Sequence, residues 1–148
     1  MAEWTPDLTL NHELLDSQHI ELFRTLSAAA AAIDGPAAGA EAAVAELADA
    51  LVAHLAAEER LMDEALYPER GRHRSAHELF MAGFVRMREE LRSQGPTPAV
   101  VEWIRNHIPE WLRFHIRVND LPLGAYLARR RARSEDGRPA RDRARRLS

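Results

Sequence analysis

Apolar residues recur along most of this chain at the three- and four-residue spacing of amphipathic helices, without the alternation that is typical of strands. Glycine and proline interrupt this pattern at 35–36, 68–71 and 93–98. The interruptions leave four predicted helices, at about 11 or 16 to 33, 39 to 66, 72 to 92 and 98 to 118. Four long helices with short connections predict an all-α fold, an antiparallel up-down-up-down four-helix bundle.

Each predicted helix has one apolar face, and we expect these faces to form the core. Their residues are Leu22, Leu26 and Ile33; Val44, Leu47, Leu51, Leu55 and Met62; Leu79, Val85 and Leu91; and Val100, Ile104, Ile108 and Leu112. Pro109 lies inside the fourth helix and is expected to kink it, because proline lacks an amide hydrogen and clashes with the carbonyl four residues earlier. Leu121-Pro122 is expected to end that helix, before a short segment to Arg131 that could be helical again.

The amino-acid composition limits the kinds of functional site that this chain can form. A chain of 148 residues, 46% of them apolar and 29% charged, favours one globular domain. It contains no cysteine, which excludes disulfides, thiolate zinc sites, cysteine-ligated clusters and a cysteine nucleophile. Metal chemistry would therefore depend on its seven histidines and its carboxylates. The sequence has no membrane span and no secretory signal, so we expect a cytoplasmic protein.

Charge divides the chain into an acidic body and a basic end. Residues 1–128 carry 11 arginines and 20 acidic residues, whereas residues 129–148 carry nine arginines and three acidic residues. We predict a bundle domain over 1–128 and a disordered Arg-rich tail over 129–148. The tail is a candidate site for an anionic partner, namely nucleic acid, lipid or an acidic protein, or it is simply a solvated end.

Histidines and carboxylates occur at spacings that place them together. His54 with Glu58, and His73 with His77, stand four residues apart, so each pair shares one helix face. His115 and Asp120 stand five residues apart, about 140° around a regular helix, and need a local distortion or a helix end there to meet. His19 lies on the first helix.

The number of residues between each histidine and the nearest helix end indicates which histidines lie in the same layer of the bundle. His19 lies 14 residues before the end of the first helix, and His54 lies 15 residues after the start of the second. The same measure places His77 and His115 at similar depth, whereas His107 would miss that layer by roughly 9 Å at 1.5 Å per residue. We therefore predict a site of five histidines and two carboxylates: His19, His54, Glu58, His73, His77, His115 and Asp120.

The donor set indicates a pair of metal ions. If both carboxylates and one oxygen bridge two ions, the set supplies about 11 of the roughly 12 donors that two octahedral ions need, which leaves one position open. Imidazole with carboxylate suits iron, zinc and copper. Because only two side chains are anionic, we expect a stable ferrous pair and reversible dioxygen binding.

The motifs together resemble a hemerythrin-like domain of the single-domain bacterial kind, over about residues 4–127. They are Trp4, Asp16-x-Gln18-His19-x-x-Leu22, His54-x-x-x-Glu58-Glu59-x-x-Met62, Tyr67-Pro68, His73-x-x-x-His77 and Trp111-Leu112-x-x-His115-Ile116-x-x-x-Asp120. Three features depart from the pattern, namely Leu55 in place of the usual phenylalanine, Pro109 and the Arg-rich tail.

The resemblance implies two irons bridged by an oxo or hydroxo group, with Glu58 and Asp120 as bridging carboxylates. One iron would take His73, His77 and His115, and the other would take His19 and His54 and bind dioxygen. The resemblance also implies an O2 pocket formed by Trp4, Leu22, Trp111, Leu112 and Ile116, although ordinary core packing explains each of these residues equally well.

Three functions stay open. The first is a dioxygen-binding protein for carriage, storage or delivery, which would not be an enzyme. The second is an enzyme that consumes peroxide or nitric oxide at the same centre, and the third is a sensor of O2 or redox state. Asp16 and Glu59 are candidates to hold ligand imidazoles through hydrogen bonds, with Glu59 expected to be a solvated surface charge instead.

Overall fold

The computed structural model describes residues 3–136. Its elements are a 3₁₀ turn at Pro6–Leu8, α1 at Glu13–Ala32, α2 at Ala37–Glu64, α3 at Arg70–Gln94, α4 at Pro98–Glu102, α5 at Ile108–His115 and α6 at Leu121–Asp136. A first π turn, Trp103–His107, joins α4 to α5, and a second π turn, Ile116–Asp120, joins α5 to α6. Residues 98–136, called the C-terminal rod below, act as the fourth helix of an all-α bundle. Within the described residues there is no strand, and no helix is both long enough and apolar enough to cross a bilayer.

The C-terminal rod is continuous through both prolines. The amide of Ile108 bonds to the carbonyl of Trp103, and that of Leu121 bonds to the carbonyl of Ile116, so each π turn closes over five residues. The boundary residues keep right-handed helical dihedrals, with φ −64° at Ile108 and φ −58° at Leu121. Each π turn precedes a proline by two residues. The wider turn relieves the clash that proline would make with the carbonyl four residues earlier.

One prediction for this part of the chain is therefore wrong. Leu121-Pro122 does not end the helix, because the second π turn accommodates Pro122 and α6 follows directly. The helix then continues through 129–136, the first part of the segment that was expected to be disordered. Alanine, leucine and arginine favour helix, and extending an existing helix avoids the cost of nucleation. The rest of the predicted tail, 137–148, lies outside the described residues.

The predicted core faces of α1, α2 and the C-terminal rod are buried as expected. The prediction for α3 is wrong at two positions, since Leu79 is 79% exposed and Val85 is 61% exposed. The buried face of α3 lies elsewhere around the helix and carries His73, His77, Phe80, Phe84, Met87 and Leu91. The ligand-bearing stripe, and not the aliphatic one, thus faces the interior.

Helix α6 contacts two neighbouring segments and holds them against the bundle. The Tyr126 hydroxyl donates a 2.7 Å hydrogen bond to the carbonyl of Ala65, just after α2. A Cβ on Gly124 would lie 3.0 Å from the Cβ of Leu10, so glycine permits the close approach of the N-terminal segment. Asp16 fixes the same segment, because its carboxylate accepts a 2.8 Å hydrogen bond from the Leu10 amide.

Candidate metal centre

Seven polar side chains meet in the middle of the bundle, and each belongs to a residue that is at most 2% exposed. They come from all four helices of the bundle and are the seven residues singled out from sequence: His19, His54, Glu58, His73, His77, His115 and Asp120. Outside a metal site, so many buried polar groups would be costly, because burial removes the water that stabilises them.

The five histidines form two groups, and each directs Nε2 inward. His73 and His77 lie 3.1 Å and 3.0 Å from His115 between Nε2 atoms, which makes a group of three. His19 and His54 form a group of two, with their Nε2 atoms 3.0 Å apart. The centre is therefore asymmetric, with three imidazoles on one side and two on the other.

Glu58 divides its two oxygens between the groups. Its Oε1 lies 2.5 Å from Nε2 of His54 and 3.7 Å from Nε2 of His19. Its Oε2 lies 2.8 Å from Nε2 of His73 and 3.3 Å from Nε2 of His77. This is the arrangement that a carboxylate needs in order to bridge two ions.

Asp120 divides its oxygens in the same way. Its Oδ2 lies 3.0 Å from Nε2 of His19, and its Oδ1 lies 3.1 Å from Nε2 of both His73 and His115. The second π turn makes this possible, because a regular helix would turn Asp120 about 140° away from His115. The distortion expected from the five-residue spacing is thus a π turn and not a helix end.

The unsatisfied atoms of the cluster fit a cation. Among the described residues, both oxygens of Glu58 and Oδ1 of Asp120 are buried without a properly oriented hydrogen-bond donor. Burial opposes ionisation of Glu58, yet the charge of His54 and the close imidazoles of neighbouring histidines hold its pKa well below its ordinary value. Burial likewise disfavours charge on His19, but hydrogen bonds and charge from Asp120 and Glu58 raise its pKa to about 9. Both carboxylates are therefore ionised and are balanced by protons on the surrounding imidazoles, and metal ions bound by imidazole and carboxylate donors would take the place of those protons.

Hydrogen bonds behind the cluster orient three of the imidazoles. His54 Nδ1 lies 2.8 Å from Oε1 of Gln18, and His77 Nδ1 lies 3.2 Å from Oε2 of Glu59. The Asn119 side-chain amide lies 3.1 Å from His115 Nδ1. Gln18 Oε1 and Glu59 Oε2 can only accept from an Nδ1–H group, so these two contacts fix the ring and leave Nε2 free for a metal.

Sequence reasoning identified only part of this outer layer. It missed Gln18 and Asn119, although Gln18 precedes His19 and Asn119 stands one helical turn after His115. Glu59 contacts His77 and also accepts a 3.0 Å hydrogen bond from Arg74, so the expectation of a merely solvated charge is wrong. Asp16 instead binds the N-terminal segment.

The remaining predicted residues fall into two sets. His107 is exposed, while His12 accepts a hydrogen bond from the Leu15 amide at the start of α1, so both lie outside the cluster. The candidate pocket residues Leu22, Leu112 and Ile116 are at most 3% exposed. Trp111 stacks on His115 with ring centroids 4.5 Å apart, and Trp4 is half-buried with its Nε1 enclosed.

Comparison with known proteins is consistent with this geometry. Residues 10–127 match the family described as Hemerythrin HHE cation binding domain. A bacteriohemerythrin from Stenotrophomonas maltophilia is 32% identical over 120 residues, which cover 79% of this chain and 75% of that protein. Bacteriohemerythrins from Pseudomonas paraeruginosa and Pseudomonas aeruginosa are each 30% identical over 118 residues, with the same coverage.

Proposed function

The chain belongs to the hemerythrin HHE cation-binding family, and from this premise we propose that it is a non-haem di-iron protein that binds dioxygen reversibly. It would serve in the carriage, storage or delivery of dioxygen. The relatives named bacteriohemerythrin support this choice. The observation that carries it is the division of both carboxylates between a group of three imidazoles and a group of two.

In this proposal His73, His77 and His115 hold one iron, and His19 and His54 hold the other. Glu58 and Asp120 bridge them, together with an oxo or hydroxo group. The group of two imidazoles supplies one donor fewer, so the open position lies on the side of His19 and His54. A reduced iron pair with an open position supplies reversible binding of dioxygen.

The surrounding side chains would keep water and protons away from that position. Leu22 follows His19 by about one helical turn, and Leu112 and Ile116 flank His115 along the C-terminal rod. All three are buried and apolar, so they contribute a dry wall that slows the loss of superoxide or peroxide. Trp4 would cover this pocket from the N-terminal segment, whereas Trp111 borders the group of three imidazoles.

Metal analysis combined with optical spectroscopy tests the proposal. We expect two irons per chain and an absorption band that appears under dioxygen and disappears under argon over repeated cycles. The variant His12→Asn is a matched control, because it removes a histidine outside the cluster while asparagine still caps a helix. Zinc in place of iron, one metal per chain, or a band that never reverses would contradict the proposal.

Two further measurements on the loaded protein separate the alternative functions. Steady consumption of peroxide or nitric oxide by the loaded protein would favour an enzyme. A change in partner binding with oxidation state would favour a sensor. The cytoplasmic location and an anionic partner for residues 129–148 stay predictions from sequence.

A further inference from the structure

Five aromatic rings form a continuous stack from the metal centre to the protein surface. Starting at the buried ring of His115, the next ring is Trp111, with centroids 4.5 Å apart and planes 13° apart. Trp111 stacks on Phe80 at 3.8 Å and 11°, and Phe80 stacks on Trp103 at 5.9 Å and 25°. Trp103 contacts the exposed ring of His107 at 4.2 Å. We call these five residues the aromatic ladder.

The ladder joins two copies of one sequence pattern. Trp103-x-x-x-His107-Ile108 is repeated eight residues later as Trp111-x-x-x-His115-Ile116. The second copy supplies a candidate ligand, whereas the histidine of the first copy is exposed and has no place in the metal centre. The metal centre therefore does not explain why the first copy is present.

The bundle leaves space for the outer tryptophan. A Cβ on Gly83 of α3 would lie only 2.6 Å from Cη2 and 2.8 Å from Cζ2 of Trp103. Glycine at this position thus lets the indole lie against α3 beside Phe80. A helix interior normally disfavours glycine, so the close approach is the feature that this residue provides.

The ladder also provides the aromatic contact to the ligand set. Within residues 3–136, Trp111 is the one ring other than the clustered histidines themselves that stacks on a candidate ligand. The third tryptophan, Trp4, has no ring contact in that part of the chain. Two of the three tryptophans therefore lie on one path, and indoles are among the side chains that lose an electron most readily.

We propose that the aromatic ladder carries oxidising equivalents, one electron at a time, from the metal centre to the protein surface when hydrogen peroxide oxidises that centre. This proposal rests on the di-iron assignment above. The two indoles are the oxidisable stations, and Phe80 is the contact between them. The exposed ring of His107 and the half-buried indole of Trp103 form the outer end.

One hydrogen peroxide, in becoming two water molecules, would draw two protons from solvent and two electrons from the iron-loaded centre, and the ladder would have to replace those two electrons. Trp111 donates one electron to the centre and is then reduced by Trp103. A one-electron reductant such as ascorbate reduces Trp103 in turn. The same sequence of transfers, run a second time, supplies the second electron. Without a reductant, Trp103 supplies both electrons itself, loses two protons and takes one oxygen atom from water, which converts its indole to a hydroxyindole.

The experiment treats the iron-loaded full chain with equimolar hydrogen peroxide, without reductant, and maps oxidised residues by peptide mass spectrometry. We expect oxidation at Trp103 and Trp111 to exceed that at Trp4 severalfold, and ascorbate to suppress it. The metal-free chain under the same peroxide should lose this preference. Freeze-quench electron paramagnetic resonance should show a tryptophanyl radical in the loaded chain.

Two variants interrupt the ladder in different ways. Trp103→Phe keeps a ring but removes the outer oxidisable station, and Gly83→Ala keeps both indoles but displaces Trp103. In both variants we expect oxidation to accumulate at Trp111, and in Gly83→Ala we also expect it to fall at Trp103. Phe114→Leu, at an exposed ring outside the ladder, is the control and should leave the pattern at Trp103 and Trp111 unchanged.

The outcomes separate this proposal from the proposed function. Equal oxidation of all three tryptophans, oxidation mainly of methionines, or the same pattern in the metal-free chain would overturn the ladder. If dioxygen binding is reversible but these results are found, the ladder alone fails. If the loaded chain shows the ladder pattern without reversible dioxygen binding, the proposed function alone fails. A chain that binds no iron contradicts both.

Discussion

At the scale of single residues, the buried charges of the cluster balance one another, so the removal of any one of them leaves another without its partner. Glu58 and Asp120 are completely buried, and each places its two oxygens against different imidazoles. Removing one charged partner from a buried set leaves the others uncompensated, which is more costly than losing a surface pair. The role of each side chain is therefore measured best by metal content and not by stability alone.

Glu58→Gln is expected to lower the metal content from two ions per chain to at most one. The amide keeps the size of the side chain but loses the negative charge that both groups of imidazoles share. The measurement is elemental analysis after dialysis, with circular dichroism to check the fold. Glu64→Gln, at a side chain of the same helix that is 65% exposed, is the control and should keep both metals. Full metal content in Glu58→Gln would contradict a bridging role.

Leu112→Ala is expected to speed the oxidation of the dioxygen-bound protein to a form that no longer releases dioxygen. The truncation opens the apolar wall beside His115 and also costs about 2–5 kcal/mol of stability through the cavity that it leaves. The measurement is the decay of the optical band at a temperature where the variant stays folded. Leu79→Ala, at an exposed leucine, is the control. An unchanged decay rate would remove Leu112 from the pocket.

At the scale of helices, the two π turns decide where side chains point. The second turn places Asp120 beside His115, whereas the first supplies no ligand to the cluster. Each is followed two residues later by a proline, which favours the wide turn because it cannot donate the regular hydrogen bond. The two prolines therefore offer a matched pair of tests.

Pro122→Ala is expected to weaken metal binding, while Pro109→Ala should leave metal affinity unchanged. Alanine at 122 restores the amide hydrogen, so a regular helix that turns Asp120 out of the cluster becomes more competitive. The measurement is a competition titration with a chelator, supported by urea unfolding. Equal metal affinity in the two variants would show that packing, and not the proline, holds the second π turn.

The sequence was sufficient to predict which seven side chains cluster because their spacing and depth are simple functions of helix geometry. His54 with Glu58 and His73 with His77 share helix faces, and His115 was separated from His107 by counting residues from a helix start. The outer contacts of Gln18 and Asn119 were not predictable in this way. They depend on the rotation of each ring, which packing between helices determines.

The wrong predictions, at the core face of α3 and at Pro122, also have physical causes. Leu79 and Val85 were assigned to the core because aliphatic residues are usually buried, but α3 has a second stripe of larger aromatic and ligating side chains. The helix was expected to stop at Pro122 because proline usually breaks a regular helix. A π turn avoids that break, and the second π turn also brings Asp120 into the cluster.

At the scale of the whole molecule, charge and structure do not divide at the same place. The acidic body ends near residue 128, yet α6 continues to Asp136 without interruption. Leu127 is the last buried residue of the described chain, so the arginines at 129–133 lie on an exposed helical extension. This extension contributes little to the core.

Removal of residues 129–148 is expected to leave metal content unchanged and to change the free energy of unfolding by less than about 0.5 kcal/mol, as for surface changes in general. Urea unfolding and elemental analysis check this. If the arginines bind an anionic partner, the full chain alone should bind anionic vesicles or DNA in a salt-dependent manner. Equal binding by both chains would dispose of that hypothesis.

The divided carboxylates have a consequence for how the protein is assembled with its metals. With one ion present, Glu58 and Asp120 would each still direct one buried, charged oxygen at the other position. After the first ion binds, two negatively charged oxygens are therefore left unbalanced at the second position. Binding of the second ion neutralises these oxygens, which belong to the same carboxylates that hold the first ion. Loading should therefore be cooperative, so that chains with two ions coexist with metal-free chains while singly loaded chains are scarce in native mass spectra.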